Sequence, residues 1–285
     1  VTDDQPAVVP SEAPAPARRT VPWRGVALGS LAASAALLGG LFVSRSALLT
    51  FLVTSDLDRR GVHCEGLSVE ASPMLDEVVI APAFCVVGAG AVSEVRWDEP
   101  MRATTEGAGV ATLTASTLRI TRRSTGADAR AQDLGALGDV LRAPERVGGV
   151  LLFAARLSES ASPRLEATTI ELVREGAPDE GSPELTLRDV VIPAREAGTP
   201  VQATIAEIAL CPIDGPLGVR VAPRMTGVTV RAEATRGSLE GALDPNVRLP
   251  VIGALALGGV VGQRRVAIRV EALDTSNPRW NVESR

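Results

Sequence analysis

Twenty consecutive residues near the start of the chain, Gly25 to Ser44, carry no charge and lie between Arg24 and Arg45. In a helix rising ~1.5 Å per residue they match the ~30 Å hydrocarbon core of a bilayer. The competing assignment is a cleaved signal peptide, whose apolar region runs only ~7–15 residues before a small-residue cleavage site. Apolar residues resume after Arg45 in Ala47, Leu48, Leu49, Phe51, Leu52 and Val53. The helix is therefore expected to run on, with Arg45 snorkelling to the interface, and a transmembrane anchor over 23–54 is the preferred reading. Arg18-Arg19 resembles a twin-arginine signal, but Thr20-Val21-Pro22 continues it poorly.

Charge does not fix the orientation, because Arg18, Arg19 and Arg24 before the stretch are balanced by Arg45, Arg59 and Arg60 after it. Cysteine supplies a second clue. Cys64 and Cys85 lie in segments able to pair as adjacent strands, a disulfide candidate that points to an oxidising compartment; two buried free thiols are the alternative, and Cys211 has no evident partner. Long domains translocate largely regardless of flanking charge. The expected placement is a single pass through the inner membrane with the body in the periplasm.

Residues 1–22 hold Pro6, Pro10, Pro14, Pro16 and Pro22 among Ala, Glu and Asp without an apolar period, and read as a disordered tail. Residues 61–285 form the body, long enough for one large domain or two small ones. Period-two alternation recurs there: Val228, Val230, Ala232 and Ala234 share one face, as do Val266, Ile268, Val270 and Ala272. Further strands are expected near 65–71, 75–81, 91–98, 109–122, 147–157, 163–173, 183–192 and 200–210. Leu134, Leu137 and Leu141 fall at helical spacing between Asp133 and Pro144. The sum is a mainly β fold: an N-terminal transmembrane helix, then an extended, antiparallel, groove-like sheet with one short helix. Pro73, Pro163 and Pro183 each lead into an apolar run, at irregular spacing, which fits a repeated hairpin solution rather than a solenoid.

The order of features over residues 25–90 resembles AsmA-like proteins: an anchor, a short apolar continuation, the polar break Asp56-Leu57-Asp58-Arg59-Arg60, then Gly66-Leu67-Ser68-Val69-Glu70-Ala71-Ser72-Pro73-Met74-Leu75-Asp76-Glu77-Val78-Val79-Ile80-Ala81. The later strands match in style only. The resemblance implies an inner-membrane anchor and a periplasmic, groove-shaped sheet with an apolar lining, implicated in moving phospholipid toward the outer membrane. The type II secretion N protein has a similar anchor-plus-β plan and a different task. About twelve strands at ~4.8 Å would make a sheet only ~60 Å wide, too short to cross a periplasm, so transport would require self-assembly, a partner or shuttling.

Within the body, Leu249 to Gly262 is uncharged between Arg248 and Arg264. It supplies the lipid-contact candidates Leu249, Val251, Ile252, Leu255, Leu257 and Val260. At fourteen residues it is short for a span, and a buried strand with a glycine-rich turn is the alternative reading. Val147 to Ala155 raises the same question more weakly.

Signals for covalent chemistry are sparse. The single histidine, His63, stands before Cys64 and Glu65, but no Pro-Cys-x-x-Cys follows to make a zinc deaminase site. No Gly-x-Ser-x-Gly elbow is present. Gly88-Ala89-Gly90 is half a dinucleotide fingerprint and fits a tight turn. Asp98-Glu99 and Asp179-Glu180 fit solvated loops. The expectation is a protein without catalytic residues, metal or cofactor. A net charge of -5 with scattered arginines, 2% aromatics and no tyrosine argues against nucleic acid. Membrane lipid is the expected partner. The alternative is a structural or interaction component of an envelope machine such as type II secretion, with protein partners. An enzyme ranks third and would need a polar pocket gathering His63 or paired carboxylates.

Overall fold

The computed structural model describes residues 44–74, 76–106, 109–124, 145–153, 161–176, 182–196, 198–210, 213–214, 220–233, 235–248, 264–271 and 279–284. All but Ser44 belong to one compact unit, Arg45–Arg285. The expected tail, the uncharged stretch up to Val43, the leucine-spaced helix before Pro144 and the segment Leu249 to Gly262 lie outside the described residues. Among the described residues no helix is long and apolar enough to cross a membrane.

The body is mainly β. A helix α1 over 44–59 ends where Gly61 takes φ 75°, with the Gly61 amide returning to the Asp58 carbonyl at 3.0 Å; a glycine past the last turn supplies this left-handed stop without steric cost. Strands follow as β1 (Val62–Glu65), β2 (Val69–Ala71), β3 (Glu77–Ile80), β4 (Ala83–Val87), β5 (Val92–Trp97), β6 (Met101–Glu106) and β7 (Gly109–Arg122). Helix α2 covers 145–153. After it come β8 (Ala161–Ser162), β9 (Arg164–Arg174), β10 (Leu185–Ile192), β11 (Arg195–Glu196), β12 (Val201–Leu210), β13 (Ile213–Asp214), β14 (Arg220–Ala232), β15 (Arg236–Arg248), β16 (Arg264–Glu271) and β17 (Arg279–Ser284). Only β8 and β11 stand apart, as a small ribbon; the other fifteen make one sheet.

The path across that sheet is β1-β4-β5-β7-β9-β10-β12-β14-β15-β16-β17, about 50 Å wide at ~4.8 Å per step. Every neighbouring pair is antiparallel except β7 and β9, which run parallel from Thr112↔Arg164 to Arg122↔Arg174. Parallel neighbours need a crossover, and α2 lies in that connection. The strand expected over 147–157 is thus corrected to a helix over 145–153. Val147, Val150 and Leu151 recur at three and four residues, not two, and all are buried.

The first six strands are three long strands, each interrupted once. β1 and β2 pair with β4 and β3 in a single register, from Val62↔Val87 to Ala71↔Val78. β5 and β6 likewise occupy successive lengths of β7. The interruptions, Gly66-Leu67-Ser68, Ala81-Pro82 and Asp98-Glu99-Pro100, lie side by side. Trp97 Nε1 donates to the Ala81 carbonyl across this level at 2.7 Å.

The same transverse line continues through the long strands. Buried residues there recur every second position and then skip one: Ala115 to Leu118, Ala167 to Ile170, Leu187 to Val190, Ile205 to Ile208, and Met225 to Val228. These skips fall opposite one another, because the ladders set Ala115 beside Ala167, Ala167 beside Val190, Val190 beside Ile205 and Ile205 beside Val228. A simple slip of alternation would send every later core residue to the solvent face. One extra residue per strand restores the face and bends the strand, as a β-bulge does. Two of the extra residues show the backbone device, Asp189 at φ 49° and Gly227 at φ 58°. The line ends at β15, where the pairing shifts between Thr226 and Thr229. Gly241 sits opposite; a Cβ there would come within 2.8 Å of Val228 Cγ2.

One face of this creased sheet is apolar and forms a single cluster from Val62 to Val270, joined by Val147, Val150, Leu151 and Leu152 of α2. The other face carries cross-strand ion pairs, among them Arg119 with Glu171 at 2.7 Å and Glu207 between Arg188 and Arg224 at 3.6 and 3.5 Å. These pairs are only part-exposed at their carboxylates, whereas exposed ones such as Arg265 with Glu240 contribute at most ~1 kcal/mol each; together they make a charged surface.

The crease predicts a specific residue dependence at position 189. Asp tolerates the left-handed region and a β-branched residue does not. Asp189→Val is expected to cost about 1–2 kcal/mol in chemical unfolding, and Asp189→Asn under ~0.5 kcal/mol. Equal effects would contradict a left-handed residue at the crease.

Candidate functional site

Three places bring polar or exposed apolar groups together: the sheet edge against α1, the disulfide with its surroundings, and a buried charge cluster at the parallel crossover. At the edge, β2 has β3 on one side and α1 on the other. Thr50 Oγ1 accepts the Val69 amide at 2.9 Å, and Arg45 Nε donates to the Ala71 carbonyl at 3.1 Å. Two backbone groups that an edge strand would otherwise present to other chains are thus engaged. Arg45, expected to snorkel, donates its Nε to the sheet edge. Leu57 packs against the core, while Leu48, Phe51 and Leu52 stay exposed.

Beyond Ala71 the chain turns through Ser72 to Asp76. The Ser72 hydroxyl donates to Asp76 Oδ1 and accepts the amides of Asp76 and Glu77, each at 3.2 Å. The Ser72 hydrogen bond, followed by backbone N–H groups, holds the Asp76 carboxyl below the usual carboxylate range. Met74 stands exposed at this tip.

Cys64 and Cys85 are directly opposed on β1 and β4 and are joined as a disulfide. Neither sulfur is then a thiolate, so neither can serve as the metal ligand that His63-Cys64-Glu65 would require. His63 Nδ1 lies 2.7 Å from Asp58 Oδ1, with both side chains exposed. Among the described residues no group of three or more His, Cys, Asp and Glu side chains converges. Asp98 meets Arg96 at 2.7 Å in an exposed turn.

The buried charges centre on Glu184. Its two oxygens take Arg122 Nε and Nη2 at 2.9 and 3.0 Å, with Arg146 Nη1 at 3.4 Å and Arg174 Nε at 3.6 Å. Arg122 and Arg174 are paired across the parallel strands, and Arg146 opens α2. The carboxylate therefore ties β7, β9, β10 and the crossover helix together. Engaged by guanidinium groups on both oxygens, it is placed as a structural counter-charge and not as a base.

The candidates Leu249, Val251, Ile252, Leu255, Leu257 and Val260 lie outside the described residues, as do Asp179 and Glu180. Val147 and Leu151, the weaker parallel, are buried in the core. In sequence Leu48, Phe51 and Leu52 read as a continuation of the anchor, and Glu184 and Met74 carry no functional signal. An uncharged run over 46–55 ending at Asp56 marks the first group. No local pattern marks Glu184, whose partners come from 10 to 62 residues away in sequence. Comparison with protein-family models and with curated protein sequences finds no match for this chain.

Two outcomes are expected. With its cysteines 21 positions apart in sequence, the disulfide should stabilise the fold by about 3 kcal/mol through loop closure; Cys64→Ser/Cys85→Ser should show that loss in urea titration, and parent protein in reductant should match it. Glu184→Gln should cost about 3–5 kcal/mol by leaving buried guanidinium groups without their carboxylate. A loss under ~1 kcal/mol would mean that the cluster is solvated.

Proposed function

We propose that this chain is a non-catalytic, membrane-anchored protein of the cell envelope, with its β body on the oxidising side of the inner membrane and phospholipid as its ligand class. The observation that carries this reading is the unbroken apolar face, continuous from β1 to β16 on a sheet whose opposite face is charged. The disulfide suits an oxidising compartment. The uncharged stretch Gly25 to Ser44 supplies the anchor. The resemblance of residues 25–90 to AsmA-like proteins adds the expectation that acyl chains lie along the apolar face.

A specific observation favours a second reading. The apolar face is closed: Leu172, Leu185, Ile205 and Val228 are at most 2% exposed. A closed core belongs to a structural or interaction component of an envelope machine, which would present its charged face and sheet edges to protein partners.

The two readings separate by crosslinking the full chain in membranes with a phospholipid bearing a diazirine on its acyl chain, and mapping adducts by peptide mass spectrometry. Adducts on peptides containing β9, β10 and β12 are expected. Adducts confined to the first sixty or so residues would leave the chain anchored in lipid but remove the lipid-binding role of the sheet.

A further inference from the structure

Large apolar side chains are exposed at six described positions: three lie on α1, Leu48 at 50%, Phe51 at 69% and Leu52 at 53%, and a fourth, Met74 at 86%, lies on the turn that follows β2, the strand to which α1 is bonded. The other two, Val86 and Val110, are on β4 and β7. On α1 the spacing 48, 51, 52 makes one stripe. Thr50 and Leu57, on the opposite side of α1, hold it to β2 and to the core, and Arg45, at the margin of the stripe, reaches across to the Ala71 carbonyl. The bond from Arg45 to the Ala71 carbonyl ties the end of β2, three residues before Met74, to the beginning of α1. Two separate elements thus contribute to the corner, and α1 cannot turn its stripe inward without losing those bonds.

We infer that this corner is a built membrane-contact surface, in which the stripe of α1 and the tip residue Met74 enter the boundary between headgroups and acyl chains of a phospholipid bilayer. The inference rests on the anchored reading above, since the uncharged Gly25 to Ser44 leads directly in sequence into α1. Charge placement supports lipid as the occupant. No charge occurs over 46–55, and Asp56, Asp58, Arg59 and Arg60 follow at the far end of the helix. An uncharged apolar stripe on one face of a helix is what an interfacial helix sets into the headgroup boundary. Size argues against a protein partner or a second copy. Four partly exposed side chains amount to a few hundred Å², well short of the ~1,200 Å² buried in total by stable protein interfaces. The consequence is positional: the body would be set close to the bilayer, with the sheet edge at β2 beside lipid.

The test uses tryptophan reporters in the full chain, with Trp23, Trp97 and Trp280 as a common background. Phe51→Trp and, as control, Val110→Trp are reconstituted into vesicles of phosphatidylethanolamine with a minor share of phosphatidylglycerol, with or without bromine on the acyl chains. Flotation of the same samples reports anchoring independently. The expected result is flotation of both proteins, with the added emission of Phe51→Trp quenched about twofold by brominated chains at interfacial depth and that of Val110→Trp unchanged. Flotation with no greater quenching at 51 than at 110 would overturn the membrane-contact surface and leave the anchor standing. Failure of both proteins to float would overturn the anchor and this inference together. Both positions are exposed, so neither substitution should unfold the protein; matching far-ultraviolet circular dichroism checks this.

Discussion

The structure depends on keeping one face of a very wide sheet apolar along its whole breadth. In a flat strand, side chains alternate strictly, so a face is preserved only while the period stays at two. Here the period breaks once in each of eight successive strand lines, from β1 and β2 to β14, and the breaks align. Alignment is necessary because the ladders are continuous through β7, β9, β10, β12 and β14. An extra residue in one strand alone would have shifted its register against both neighbours. A matching residue in every strand leaves the pairing intact and concentrates the bend on one line. At β15 the matching stops, the register shifts, and Gly241 leaves room for Val228.

Much of the fold was legible. The alternation at Val228, Val230 and Ala232 marked a half-buried strand, and all three are buried. The strand cores over 109–122, 163–173, 183–192 and 200–210 fall within two residues of β7, β9, β10 and β12. The crease was present in the letters but not drawn out: Val201, Ala203 and Ile205 are followed by Ile208 and Leu210, and Leu185 and Leu187 by Val190 and Ile192. A skip within one strand is ambiguous, since it resembles weakened periodicity. Only its repetition at matched positions across several strands gives it meaning, and matching requires the register. β15 is hard to read in sequence because Gly237, Gly241, Ala242 and Pro245 dilute its large apolar residues to Leu239, Leu243 and Val247, which are spaced by four and not two. Residues 147–153 were misassigned since a short apolar run does not distinguish strand from helix by composition.

The polar features were less legible for a related reason. Glu184 lies among arginines contributed by the end of β7, the end of β9 and the start of α2, and their approach follows from the parallel pairing of β7 with β9. That pairing is the sheet's one departure from antiparallel order, and nothing in the period of either strand distinguishes it. The Cys64 and Cys85 positions were easier, because a hairpin with its turn at Ser72 to Asp76 sets them opposite once the two strands are drawn. Long-range charge clusters require topology; cross-strand pairs in a hairpin require only the turn.

The closed apolar face and the exposed corner constrain how lipid could reach the sheet. Opening the face in water would expose residues such as Ile205 and Val228 at a cost of roughly 25 cal/mol per Å², and many such residues lie side by side. Against acyl chains the same exposure costs little, because hydrocarbon is about as apolar as the side chains it would touch. Entry of lipid is therefore favourable only where bilayer and sheet already meet. The corner formed by α1 and the Ser72 to Asp76 turn lies on β2, whose Val69 and Ala71 are buried on the apolar face. A membrane-contact surface at that corner, as inferred above, would place the edge of the apolar face at β2 next to lipid without an aqueous gap.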